Sequence, residues 1–242
     1  MIPEDAMRCA AGAIDRSLSE AVSRALGAKV TLAIATEPAP MTALTFAEVT
    51  RVSALATQAR REEWRLGRAA LKAALRAVGE VDDTGPLEFP HARLSLTHSG
   101  STAVAVVTPH GELAGIGVDL EMDRAPRLEA ARFFLTDDEQ QWLRAQKIDE
   151  RRAHIVRLWT IKEAVFKADP ENGSSVLRDY AVARPESTWG MATRNHGDRV
   201  LRFTYVSERL EGGTLSVAAH YAQSPFDGAP STSRTSAGSR KG

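Results

Sequence analysis

Gly115-Ile116-Gly117-Val118-Asp119-Leu120-Glu121, or GIGVDLE, begins as a buried strand and ends in two carboxylates. Successive strand side chains point to opposite faces, so Asp119 and Glu121 share a face, roughly 6.6 Å apart along the backbone. At an effective dielectric of about 20, that proximity costs on the order of 2.5 kcal/mol. Two explanations are open. The acids stand at a solvated strand end, which these two residues taken alone favour. Or they hold a hard cation, such as Mg²⁺, between their oxygens.

Working outward, hydrophobic periodicity predicts a helix over 5–27 ended by Gly27, a strand over 29–36 and a helix over 46–78 ended by Gly79. Strands over 93–98 and 102–107 form a hairpin through SGS, and a strand over 114–121 carries the acids. Helices follow over 136–146, opened by a Thr N-cap, and 150–168, then strands over 176–184 and 199–221. The tail from Ser224 is rich in Ser, Gly and Pro and is expected to be disordered.

An internal echo joins these elements. VTLAIATE (30–37) matches AGIGVDLE (114–121), LTFAE (44–48) matches LTDDE (135–139), and GRAALK (67–72) sits where KEAVFK (162–167) sits. The order each time is strand, acid-led helix, long helix. This predicts an α+β fold of two similar halves, 1–113 and 114–223, followed by the tail 224–242, with a ligand cleft between the halves. A cleft formed inside one chain implies a monomer.

Composition narrows the function. The 242 residues are 43% hydrophobic, and 31 Lys plus Arg balance 31 Asp plus Glu. A nucleic-acid binder usually has a basic excess, so no nucleic-acid partner is expected. The single cysteine, Cys9, excludes an internal disulfide and fits a reducing cytoplasm. No apolar run approaches a membrane span, and the acids in MIPEDAMRCA argue against a secretory signal.

Three further stretches carry chemistry. In RLWTIKEAVFKA (157–168), Glu163 and Lys167 share a helical face, as an exposed ion pair or, on so apolar a helix, as part of a metal–phosphate site together with Lys162. In LSLTHSGS (94–101), His98 is either a hydrogen-bonded strand-end histidine or a phosphate or ribose contact aided by Thr97 and Ser99. In RREEWRLGR (60–68), Arg61, Arg65 and Arg68 form a stripe of the kind that is mostly a solvated face, and Arg68, beside Gly67 and the apolar run, is the one of the three expected to turn inward.

Together these residues resemble the 4′-phosphopantetheinyl transferases of the Sfp type, whose signatures are G-[IV]-D-x-E and W-[ST]-x-K-E-[AS]-x-x-K. They stand here as Gly117–Glu121 and Trp159–Lys167, and the resemblance covers roughly residues 45–220. It implies that the phosphopantetheine arm of coenzyme A passes to a serine of an apo acyl or peptidyl carrier protein, with release of 3′,5′-ADP. By matching positions, Asp119, Glu121 and Glu163 would ligate Mg²⁺. Glu163 would take the serine proton, Lys167 would stabilise the leaving phosphate, and Lys162 is a second phosphate contact. Arg68, His98, Thr97 and Arg61 would lie on the CoA side. The family's Gly-Lys-Pro stands here as Thr84-Gly85-Pro86, without the lysine, and Arg93 or an N-terminal arginine is a candidate replacement. The carrier would dock near Phe133, Phe134 and Leu135. A non-catalytic CoA- or carrier-binding relative is the alternative reading.

Overall fold

The computed structural model describes residues 12–80, 83–111, 113–122 and 128–221. Cys9, the start of the predicted first helix and the Ser224 tail lie outside them. Two antiparallel sheets organise the chain. The first contains β1 (Gly12–Ile14), β2 (Thr31–Ala35), β3 (Leu94–Ser99) and β4 (Thr102–Val107), in the order β1-β2-β4-β3. The second contains β5 (Leu113–Met122), β6 (Ala181–Val182), β7 (Trp189–His196), β8 (Arg199–Leu210) and β9 (Gly213–Tyr221), in the order β5-β9-β8-β7-β6.

Each sheet carries one long helix. α3 (Gln58–Ala77) lies on the first sheet, burying Leu66, Ala70, Leu71 and Ala74 against Ala33, Ala103, Ala105 and Val107. α6 (Ile148–Ala168) lies on the second, burying Leu158, Ile161 and Val165 against Ala192, Phe203 and Ala218. The opposite faces of the two sheets share a third core. Leu32, Val104 and Val106 meet Ile116, Val118, Leu120 and Val217 there, closed by α1 (Arg16–Leu26) through Leu18, Val22 and Leu26. With both faces covered, β4 reads as the apolar run TAVAVV. The α+β architecture of two sheet-and-helix halves is the one expected.

Several boundaries differ from the sequence expectation. Asp15 caps α1 by accepting from the Leu18 N–H, so the first helix starts at Arg16, and Gly12–Ile14 pairs as a strand with Ala33–Ala35. The predicted 46–78 helix is two, α2 (Phe46–Ser53) and α3, because Thr57 turns extended and caps α3 through the Arg60 N–H. Of 176–184, only Ala181 and Val182 are strand. The 199–221 segment is a hairpin turning at Gly212, with φ 71°. β7 was not expected, since WGMATRNH offers few apolar residues to alternate.

The internal echo has a structural counterpart. Thr45 and Thr136 each open a helix with a reciprocal capping box, to Glu48 and Glu139. α5 (Asp137–Ala145), which follows the one-turn α4 (Ala131–Phe134), is the second of these helices. Both glutamates are buried and each takes a lysine from the long helix of its half: Lys72 for Glu48 and Lys162 for Glu139. Each also accepts a backbone N–H further along, from Thr84 and Val182 respectively. The halves therefore align Lys72 with Lys162, five residues from the Lys72–Lys167 match that the sequence echo proposed.

Candidate active site

β5 answers the question its sequence raises. Ile116, Val118 and Leu120 point into the core between the sheets. Gly115, Gly117, Asp119 and Glu121 occupy the other face, towards α6. The helix comes so close that a Cβ on Gly117 would lie 1.9 Å from the Ala164 carbonyl oxygen, and one on Gly115 would lie 1.9 Å from that of Ala168. Glycine is required where backbone meets backbone at this distance. As the strand runs on, the glycines give way to the two acids, and α6 offers Glu163 and Lys167.

Lys167 Nζ donates to Asp119 Oδ1 at 2.7 Å and to the Val118 carbonyl at 3.1 Å. An ammonium has three N–H donors, so one remains for a ligand. Asp119 is buried, and its Oδ1 also accepts from Thr97 Oγ1 at 3.1 Å. Its Oδ2 is buried without a partner. Burial raises the Asp119 carboxyl, against the pull of Lys167, Thr97 and the Leu120 backbone N–H. Burial and the neighbouring Asp119 charge raise Glu121, opposed by hydrogen bonds from Trp159 and Ser99. Burial, Asp119 and Glu121 raise Glu163, opposed by Lys167. The three carboxylates thus feel one another across the strand–helix contact.

Among the described residues, no group of three His, Cys, Asp or Glu side chains is arranged to hold a metal ion. The donor set nevertheless fits a hard divalent cation. Three carboxylates against one ammonium leave an excess of two negative charges in a largely buried place, and Asp119 Oδ2 lacks any partner.

The edge strands β3 and β5 bring the two sheets together through side chains. The Val118 N–H donates to Ser95 Oγ and the Met122 N–H to Ser99 Oγ, both at 3.1 Å, with the Thr97–Asp119 bond between them. Ser95, Thr97 and Ser99 therefore face β5, whereas Leu94, Leu96 and His98 face α3. There Leu55, Arg60, Glu63, Trp64, Gly67, Arg68, Leu96 and His98 line a cavity of about 370 Å³. Arg68 is 5% exposed; its guanidinium stacks 4.7 Å above the Trp64 ring, and its Nε and Nη1 have no hydrogen-bond partner. Burial, with some help from Arg51, lowers its pKa to about 10. A buried guanidinium with unused donors beside a cavity suits an anion.

Four expectations need correction. Lys162 is wholly buried: it lies 2.7 Å from Glu139 and donates to the Tyr180 carbonyl at 2.6 Å, so it has no reach to a phosphate. Arg61 donates to the Leu55 carbonyl at the α2–α3 junction, and Arg60 lines the cavity instead. Thr97 turns to Asp119, away from the cavity. Arg93 is engaged by Glu80, the Thr108 carbonyl and His110, so it does not replace the missing lysine. The aromatic pair also divides. Phe133 is 67% exposed, but Phe134 is buried edge-on to Trp159 at 4.9 Å, and Leu135 is buried as well. The role of Trp159 beside Glu121 was missed; its place in the Trp159–Lys167 motif was the available signal.

Comparison with known proteins bears out the resemblance. The family model of the 4′-phosphopantetheinyl transferase superfamily matches residues 115–218, the segment that holds both motifs. Over 106 residues the chain is 30% identical to the 4′-phosphopantetheinyl transferase psf-1 of Bacillus pumilus, covering 44% of this chain and 43% of that one. Over 95 residues it is 27% identical to the 4′-phosphopantetheinyl transferase Sfp of Bacillus subtilis (strain 168), covering 39% and 41%. The chain thus spans less than half the length of the curated relatives it matches. The crystal structure of Thermotoga maritima holo-acyl-carrier-protein synthase overlaps 47% of this chain and 66% of its own, at 14% identity and a TM-score of 0.34.

Proposed function

We propose that this protein transfers the 4′-phosphopantetheine arm of coenzyme A to a serine hydroxyl of an apo acyl or peptidyl carrier protein, releasing 3′,5′-ADP. One observation carries the reading. Asp119, Glu121, Glu163 and Lys167 gather where β5 meets α6, and the next strand, β3, borders a cavity holding an unpartnered buried guanidinium. Anion binding and acid–base chemistry are thereby juxtaposed, as a substrate with separated phosphates needs.

Arg68, with His98 at the cavity rim, binds the 3′-phosphate of CoA; a planar guanidinium suits a phosphate better than a point charge does. Asp119, Glu121 and Glu163 would hold Mg²⁺. Once bound, that ion neutralises charge on the pyrophosphate oxygens. Glu163, on the α6 face that meets the acidic strand, accepts the proton of the carrier serine. The serine oxygen bonds to the β-phosphorus, and the bond from that phosphorus to the bridging oxygen breaks. Lys167 donates its remaining N–H to the departing α-phosphate. The carrier docks beside this cleft, where Phe133 stands exposed under the Arg132 guanidinium, a mixed apolar and cationic surface suited to an acidic helix.

The test is to incubate the protein with CoA, Mg²⁺ and an apo carrier protein and weigh the carrier. A gain of one phosphopantetheine supports the assignment. CoA binding without a gain would instead identify a non-catalytic relative.

A further inference from the structure

We propose that Thr97 is a positioning residue that fixes which oxygen of Asp119 is offered to the metal. This rests on the reading of Asp119, Glu121 and Glu163 as the metal's donor set. Thr97 is 6% exposed, and its hydroxyl donates to Asp119 Oδ1 from the first sheet. Lys167 Nζ reaches the same oxygen from α6 in the second half. Two donors from opposite sides saturate Oδ1 and leave Oδ2 buried and unpartnered.

A carboxylate held by only one of these donors can turn about its χ2 torsion, which for aspartate is broad and nearly twofold. Held by both, it presents one oxygen in one direction. The bracing bonds at Ser95 and Ser99 fix the backbone on either side, at Val118 and Met122. The three hydroxyls of β3 thus hold the acidic strand in register while the middle one orients its side chain. The strand's alternation excludes a second role for Thr97 in the cavity, because Leu96 and His98 occupy that face.

Thr97→Val keeps the shape and removes the hydroxyl; Thr97→Ser keeps the hydroxyl. Mn²⁺ is titrated into the free protein, without CoA, and free ion is followed by electron paramagnetic resonance. Thr97→Val is expected to bind Mn²⁺ about tenfold more weakly, on the order of 1.4 kcal/mol. Its kcat falls about as much with KM for CoA unchanged, and Thr97→Ser restores both. Unchanged Mn²⁺ affinity in Thr97→Val overturns the proposal, as does a defect confined to the KM for CoA. So does a wild-type protein that binds no Mn²⁺. If wild-type protein binds Mn²⁺ but transfers nothing, the transferase assignment falls while the titration still decides the role of Thr97.

Discussion

Lys162 Nζ lies 2.7 Å from Glu139 Oε2, and neither side chain has meaningful access to solvent. Lys72 and Glu48 make the same pair in the other half at 2.8 Å. Each joins a long helix to the start of the shorter helix before it, so the conserved geometry belongs to the scaffold. Lys162, the first lysine of the second motif, is therefore explained by folding rather than by phosphate binding.

Lys162→Met is expected to lose stability, by about 3–5 kcal/mol, because Glu139 is left charged and buried. Denaturant unfolding measures this. Lys162→Met combined with Glu139→Gln should recover part of the loss, since no ion is then stranded and the amide oxygen still accepts the Val182 N–H. A Lys162→Met protein as stable as wild type, but with weakened CoA binding, would return Lys162 to the ligand site.

Glu163 makes the fold pH-sensitive in a defined direction. Its carboxyl is raised in the folded state, so that state holds the proton more tightly than the unfolded chain. Its contribution is intact below the ordinary glutamate value of 4.5 and is lost as pH rises through the raised value. Glu163→Gln should melt at a higher temperature than wild type in neutral buffer, and the gap should close under acid. Adding Mg²⁺ should stabilise wild type, by about 2.7 kcal/mol at a hundredfold excess over Kd, and do less for the variant. Thermal scans at two pH values, with and without the ion, check both statements.

Arg68→Met should separate binding from stability. CoA affinity, measured by calorimetry, is expected to fall about 30-fold, corresponding to roughly 2 kcal/mol of lost charged hydrogen bonding. The melting temperature should hold or rise, since a buried cation with two unpartnered nitrogens is removed. Dephospho-CoA should bind both proteins alike. Full CoA affinity in Arg68→Met would assign the cavity to something else.

Phe133→Asp should raise the KM for the carrier protein about tenfold without altering the melt, because the ring is exposed and touches no core. Phe134→Asp should lower the melting temperature sharply, since that ring is buried against Trp159. Equal carrier kinetics in Phe133→Asp and wild type would remove this face from the docking surface.

Much of this was legible in the sequence because the residues concerned act through local pattern. GIGVDLE signals glycines on one face followed by acids on the same face, and the period of two carries that information unaided. The inward turn of Arg68 was legible from its place beside Gly67 and the apolar run. What was hidden depends on distant partners. Lys162 and Lys167 look equally able to meet a phosphate until Glu139 is brought beneath one of them and Asp119 beside the other. Thr97 and His98 looked like one unit, since nothing in LSLTHSGS reveals that β5 lies along one side of the strand and α3 along the other. The Thr57 break escaped notice because apolar spacing continues across it, and β7 because its partners supply the burial that its own residues do not suggest.

Neighbouring positions on β3 serve two different neighbourhoods, which makes that strand a gauge. The stride from one residue to the next sets the separation of anion grip and acidic cluster, and no loop motion can stretch it. Slipping the strand by one residue would exchange the occupants of both sides at once, silencing the two together. Selectivity for a molecule with correctly spaced charged ends would then follow from the pleat itself.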